Sequence, residues 1–136
     1  MADNTEMVRS AYEAFARGDL DAAMELAHEN FLWQGTTVDG LPGAGLHEGK
    51  DAIRAMLMTV ADEWDRFEIA ADEYVAERDT VVVLGHLEGH AKPTKKDVRV
   101  PIAHVWKVTD GKLARVTVLG DTAILAAALD KRPKPT

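Results

Sequence analysis

Cysteine is absent from the 136 residues, which excludes a disulfide framework and a thiolate nucleophile and suits a reducing compartment. Cations are scarce as well: 16 Lys and Arg stand against 23 Asp and Glu, for a net charge of −7. Nucleic-acid binding needs clustered Lys and Arg to neutralise phosphates, and the only basic concentrations, 92–99 and 131–134, are short. No apolar run approaches the roughly 20 residues that span a bilayer, and no signal-peptide apolar segment opens the chain. His28, His47 and His90 fall at no metal-binding spacing such as His-Glu-x-x-His. The expectation is a soluble, cytoplasmic protein with no nucleic-acid or membrane partner, no metal and no cofactor.

Hydrophobic residues at 46% and charged ones at 29% are typical of a globular chain. The length suits one domain, 1–130, followed by a short tail, 131–136. The most informative stretch is 98–121. Val100, Ile102, His104, Trp106 and Val108 fall on one parity there, and Arg99, Pro101, Ala103, Val105 and Lys107 on the other, which is the period of a strand. A second β-rich run, 113–119, follows Thr109-Asp110-Gly111-Lys112, and an Asp-Gly pair between two such runs signals a tight hairpin. One face of this hairpin mixes large apolar residues with an ionisable one, His104, which suits a pocket wall as well as a core. The opposite parity, with Ala103, Val105, Thr117 and Leu119, is too apolar to be left in water and predicts a homodimer.

Upstream, Asp3 and Glu6 are spaced as a helix cap and its partner, and Val8, Ala11, Tyr12 and Phe15 recur at helical spacing up to Gly18. Asp19 caps a second helix with the stripe Leu20, Ala23, Met24 and Ala27. A short strand, Phe31-Leu32-Trp33, leads into the glycine-rich segment 35–49, expected to be a mobile lid or rim. A third helix carries Ile53, Met56, Leu57, Val60 and Trp64 on one face. Strands are predicted at 67–77 and 80–90 around a turn at Arg78-Asp79, then the hairpin, then a short helix, 123–129, capped by Asp121-Thr122. Helices followed by a mainly antiparallel sheet make an α+β layout.

YEAFARGDLDAAMELAHENFLW, the GKDAI helix start and HVWKVTDGKLARVTVLGD together resemble the nuclear transport factor 2-like (NTF2-like) superfamily, most closely its SnoaL-like and ketosteroid-isomerase-like branch. The resemblance covers nearly the whole chain. It implies a cone, in which a strongly curved, mostly antiparallel sheet wraps around N-terminal helices with a deep pocket at the open end. Homodimers packed through the outer face of the sheet are implied too. So is cofactor-free acid–base chemistry on a small apolar or carbonyl-bearing substrate, of the isomerase, cyclase or epoxide-hydrolase type. The same fold also serves as a non-catalytic ligand-binding or dimerisation module.

In SnoaL-like cyclases and limonene-epoxide hydrolases an aspartate at the corresponding strand end acts as the base, which points to Asp121; a preferred N-cap residue would stand at the same place. By the same resemblance His104 takes the position of an acidic oxyanion-hole donor, where an imidazole can polarise a carbonyl in the same way. If 80–90 turns Val82, Leu84, His86 and Glu88 to the concave side, His86 and Glu88 join the pocket at the spacing of the hydrolases' arginine and aspartate. The other parity, with Val81, Val83 and Leu87, is equally apolar, and the pattern fits both. Trp33, just before the glycine-rich segment, and Trp106, beside His104, read as pocket walls. Tyr12 falls one residue from the position, near Ala11, of the isomerase's tyrosine donor, about 100° around the helix. The isomerase's aspartate base would fall near Gly35. Tyr12 therefore reads as a substrate contact, and steroid isomerisation is not expected.

Overall fold

The computed structural model describes residues 4–130; the cap expected at Asp3 and the tail 131–136 lie outside the described residues. α1 (Asn4–Ala16) and α2 (Leu20–Glu25) are followed by β1 (Ala27–Gln34), β2 (Leu46–Glu48), α3 (Lys50–Met58), α4 (Val60–Glu63), β3 (Trp64–Glu77), β4 (Thr80–Ala91), β5 (Asp97–Thr109), β6 (Lys112–Gly120) and α5 (Thr122–Leu129). The strands form one six-stranded sheet in the order β2-β1-β6-β5-β4-β3. Every neighbouring pair is antiparallel except β1 and β6, which run parallel. This is the α+β layout that the order of helical and alternating segments predicts. α1 touches β3, β4 and β6 across the concave face of the sheet, which curls around it. Among the described residues no helix is long and apolar enough to cross a membrane.

The β5–β6 hairpin sets the inside and the outside of the cone. Asp110 and Gly111 both have positive φ, 52° and 72°, the two-residue turn whose twist matches that of the flanking strands. Val100, Ile102, His104, Trp106 and Val108 are all buried. β5 in turn fixes β4, because Val81 lies opposite Trp106 and Val83 opposite His104, and opposed residues of an antiparallel pair share a face. Hence Val81, Val83, Leu87 and Ala91 are buried, while His86 and Glu88 lie on the outer face. Of the two parities the sequence left open, the structure takes the second, so His86 and Glu88 do not join the pocket. Two glycines complete the inward face. A Cβ at Gly85 would fall 1.9 Å from the carbonyl oxygen of Ala70, where β3 bulges, and one at Gly89 would fall 2.7 Å from the Trp64 ring.

The third helix ends sooner than its apolar stripe suggested. Thr59 Oγ1 donates to the Met56 carbonyl at 2.6 Å, a local bond by which threonine competes with helix continuation. Trp64 is extended (φ −129°, ψ 125°) and opens β3, buried with Leu87, Val100, Leu125 and Leu129 in a core cluster of its own. The glycine-rich segment departs from expectation too. It contains β2, paired with β1, and the part before it is tied down. Gly35 N–H donates to Gly45 O and Gly45 N–H to Thr36 O, both at 2.9 Å. Leu41, only 4% exposed, inserts into the Trp64 cluster. The glycines here serve close packing rather than slack: a Cβ on Gly35 would fall 1.8 Å from Gly43 O.

Candidate functional site

Between the concave face of the sheet and α1, α2 and α3 lies a cavity of about 150 Å³. Its walls are apolar, with Phe15, Phe31, Trp33, Phe67, Ile102 and Leu125 among them, and the tied segment supplies a rim of Thr36, Pro42 and Gly43. Among the described residues, Tyr12 and His104 are the only titratable side chains that line it. No carboxylate, lysine or arginine among those residues does.

Those two residues and Trp106 form one hydrogen-bonded chain. The Trp106 indole N–H donates to the Tyr12 phenol oxygen at 2.9 Å, and that oxygen stands 2.5 Å from His104 Nδ1. Tyr12 and His104 stack with ring planes 8° apart, and the Trp106 ring meets Tyr12 edge-on at 76°. Burial pushes the Tyr12 phenol well above its usual range, against the lowering effect of the Trp106 bond. Burial likewise pushes His104 down to about 4. At neutral pH the phenol is therefore protonated and the imidazole uncharged.

The tautomer follows from the donors. With the Trp106 N–H on its oxygen, the protonated Tyr12 phenol has its own O–H to place, and the adjacent acceptor is His104 Nδ1. His104 then carries its proton on Nε2. No hydrogen bond to another described residue meets that nitrogen, so the Nε2–H is the donor that His104, 7% exposed, has left for the cavity it lines. α1 supplies Tyr12 from the helical stripe, β5 supplies His104 and Trp106 from one parity, and the curl of the sheet brings the two elements together. The one-residue offset of Tyr12 from the expected tyrosine position does not remove it from the pocket: Ala11 and Tyr12 both line the cavity, and the phenol is long enough to reach β5.

The other residues singled out from the sequence fall in different places. Trp33 lines the cavity, with its indole N–H given to Gly43 O at 2.9 Å, so it acts as wall and as anchor for the rim. His86 Nδ1 lies 2.9 Å from Asp72 Oδ2, and Glu88 lies 3.4 Å from Arg99, a polar network on the outer face. Asp121 is exposed, and its carboxylate accepts from the backbone N–H groups of Ala123 and Ile124 at 3.1 and 3.3 Å, capping α5. Its neighbours Gly120 and Thr122 line the cavity and Asp121 does not. The structure thus does not bring Asp121 and His104 into one cavity; it brings Tyr12 and His104 together. Asp121→Asn, itself a good cap, is expected to leave urea denaturation unchanged, whereas Asp121→Ala loses about 1 kcal/mol. Turnover lost in the Asn variant at unchanged stability would show a role beyond the cap.

Fold and site together define an α+β cone with a small, apolar, ligand-sized pocket. The chain belongs to the SnoaL-like domain family, which matches residues 8–116. No curated protein matches it. Among solved structures it is similar to an NTF2-like protein from Burkholderia thailandensis E264, at 28% identity and a TM-score of 0.88, over 98% of this chain and 100% of that one. It is also similar in fold to a protein from Jannaschia sp. CCS1 described as a SnoaL-like polyketide cyclase (20% identity, TM-score 0.81, 96% of this chain and 93% of that one). A third likeness is to a protein with a ketosteroid isomerase-like fold from Catenulispora acidiphila DSM 44928, in complex with trimethylamine (13% identity, TM-score 0.80, 96% and 100% covered).

Proposed function

We propose that the chain binds a small apolar molecule through a carbonyl or ring oxygen and acts on it by cofactor-free acid–base chemistry of the isomerase or cyclase type, in a cytoplasmic setting. The observation that carries this reading is the chain Trp106, Tyr12, His104, which ends in one N–H donor inside an apolar cavity. A neutral imidazole held in one tautomer acts as an electrophile: its N–H polarises a carbonyl oxygen and stabilises the enolate that forms when a water or hydroxide entering from solvent takes the α proton. Tyr12 is the positioning residue, since its O–H decides which imidazole nitrogen carries the proton. The experiment that tests the reading follows α-proton exchange of acetophenone in D₂O by NMR, with wild type and with His104→Leu. A second reading, a non-catalytic binding module, is favoured by one observation: among the described residues no carboxylate lines the cavity, so these walls supply no strong base. Acetophenone that binds and exchanges no faster than in buffer would establish that second reading. The epoxide-hydrolase alternative loses its support, because the residues that stood in for the hydrolases' arginine and aspartate, His86 and Glu88, lie outside.

The same proposal includes a homodimer. On the outer face Val82 pairs with Val105, Leu84 with Ala103, Ala103 with Leu119 and Val105 with Thr117, so these side chains form a continuous patch across β4, β5 and β6. Leu84 and Leu119 are 40% and 53% exposed in the single chain. Contiguous apolar surface of this kind is what partner copies cover. Light scattering is expected to give twice the 14.9 kDa chain mass, and Leu84→Lys to halve it; a wild-type mass of one chain at micromolar concentration would refute the dimer.

A further inference from the structure

We propose that a second copy of this chain, seated on the outer face of the sheet, forms one lip of the cavity mouth, so that ligand uptake and dimerisation are linked. The inference rests on the homodimer given above and adds a consequence for the pocket that the dimer alone does not impose.

The mouth is fixed by where β1 stops. β1 pairs with β6 as far as Gln34 and Thr117, and the chain then turns away at Gly35 into the rim. The last residues of β6, Val118, Leu119 and Gly120, keep β5 on one side, with His104, Ala103 and Ile102 as their partners, and have no strand on the other. All three line the cavity, as do Thr36, Pro42 and Gly43 of the rim. Leu119 is 53% exposed and Gly120 is exposed too, so the cavity meets solvent beside them. The wall there is a single strand thick. Its inner side faces the cavity, and its outer side carries the Leu119 side chain, in one row with Ala103 and Leu84. Whatever covers the apolar patch therefore reaches the lip of the mouth.

Charge identifies the cover. The outer face is acidic on its β3 flank, at Glu73 and Glu77, and basic on its β5 and β6 flank, at Lys107 and Arg115, all of them exposed. Glu77, Thr80, Lys107 and Arg115 form one row across the four strands, and Glu73, Leu84, Ala103 and Leu119 form another. Lys107 lies 3.7 Å from Asp79 within the chain, whereas among the described residues Glu73, Glu77 and Arg115 make no ion pair. A face with opposite charges on its two flanks complements itself when turned about a two-fold axis parallel to its strands. β6 of each copy then lies over β3 of the other, Arg115 meets Glu77 twice, and the apolar rows meet between them. In that arrangement the second copy's β3 passes over the end of β6, with the row of Glu73 facing Leu119 beside the mouth. The part of a ligand that a single chain leaves in water is covered there, and removing apolar surface from water favours the liganded dimer. By linkage, the ligand tightens the dimer by the factor that the dimer tightens the ligand.

Naphthalene serves as the probe. It needs only apolar walls and makes no hydrogen bond to His104, so its binding is independent of the carbonyl reading. Its second ring also exceeds the single ring that a volume of about 150 Å³ holds, and so reaches toward the mouth. Sedimentation of a wild-type dilution series gives the dimer dissociation constant, which is expected to fall at least about fivefold in saturating naphthalene. Leu84→Lys, at a position that does not line the cavity, is expected to be monomeric and to bind naphthalene at least about fivefold more weakly, read from the Trp106 indole N–H resonance. Arg115→Glu should weaken both dimer and naphthalene binding, and adding Glu77→Arg should restore both. A dimer whose dissociation constant ignores naphthalene, or a Leu84→Lys monomer that binds it as wild type does, overturns the shared mouth and leaves the dimer standing. Wild type at one chain mass throughout overturns both. Naphthalene that fails to bind the dimer overturns the linkage, and a charge swap that restores neither property overturns the arrangement that brings β3 to the mouth.

Discussion

His104→Leu is expected to slow the α-proton exchange of bound acetophenone by a hundredfold or more, the usual consequence of removing one preorganised donor from a developing oxyanion, about 10²–10³. Ground-state binding should fall far less, by the worth of a single hydrogen bond, so the loss appears at saturating ketone and not only at low concentration. Leucine has a second effect that must be separated from the first. It strands the Tyr12 O–H in an apolar cavity, and an unpaired buried donor costs about 1–3 kcal/mol of stability. Adding Tyr12→Phe would only exchange one stranded donor for another, because the Trp106 N–H then loses its acceptor, so the separation of the two effects falls to a variant that keeps an acceptor for Tyr12. Tyr12→Phe alone leaves His104 free to place its proton on either nitrogen and is expected to cost roughly tenfold in exchange, with the ¹⁵N resonances of His104 showing a mixture of tautomers. His104→Gln supplies a carbonyl oxygen to accept from Tyr12 and an N–H for the cavity, and should restore part of the rate. Exchange unchanged in His104→Leu would remove the electrophile from the proposal.

The parts of this site that the sequence disclosed are those held by a single element. The alternation of 100–108 placed His104 and Trp106 on one buried face, and the Asp-Gly turn placed the hairpin. The facing of β4 was not legible, because its inward positions include Gly85 and Gly89. Two glycines dilute the apolar signal of the correct parity until it equals that of the wrong one, and the register that decides between them depends on the length of the turn after Ala91. The bond between Tyr12 and His104 spans 92 residues and two kinds of periodicity; it becomes visible only once the sheet curls around α1. For Asp121 the difficulty was chemical. A carboxylate at a strand end before a helix is what a base at a pocket mouth requires and also what an N-cap requires, and only the direction of the side chain distinguishes them. The rim illustrates the opposite error. Glycine content suggested slack, whereas the contacts made possible by the missing side chains are what close the segment over the cavity.

The stability of the protein is expected to fall steeply as the pH drops from about 6.5 to about 4, with His104 as the main cause. In the unfolded chain a histidine titrates near 6.5; in the fold, burial pushes His104 down to about 4. Between those values the unfolded state binds a proton that the folded state refuses, so unfolding free energy rises with pH across that window. The contribution is complete above about 6.5 and is lost progressively as the pH falls through the window to the folded value. With each pH unit of displacement worth about 1.4 kcal/mol, the full loss is about 3 kcal/mol, a large share of the roughly 5–15 kcal/mol that holds a domain together. The Tyr12 phenol faces His104 and remains protonated throughout, so it does not alter the sign. His104→Gln keeps the hydrogen bond to Tyr12 and removes the titration. The chain has five histidines, and the other four are common to both proteins, so the difference between their urea midpoints against pH isolates His104. The expected result is a gap that widens in favour of the Gln variant as the pH falls from 6.5 to 4. Parallel curves over that window would show that His104 is not held neutral by burial, and would remove the fixed tautomer on which the Nε2–H donor depends.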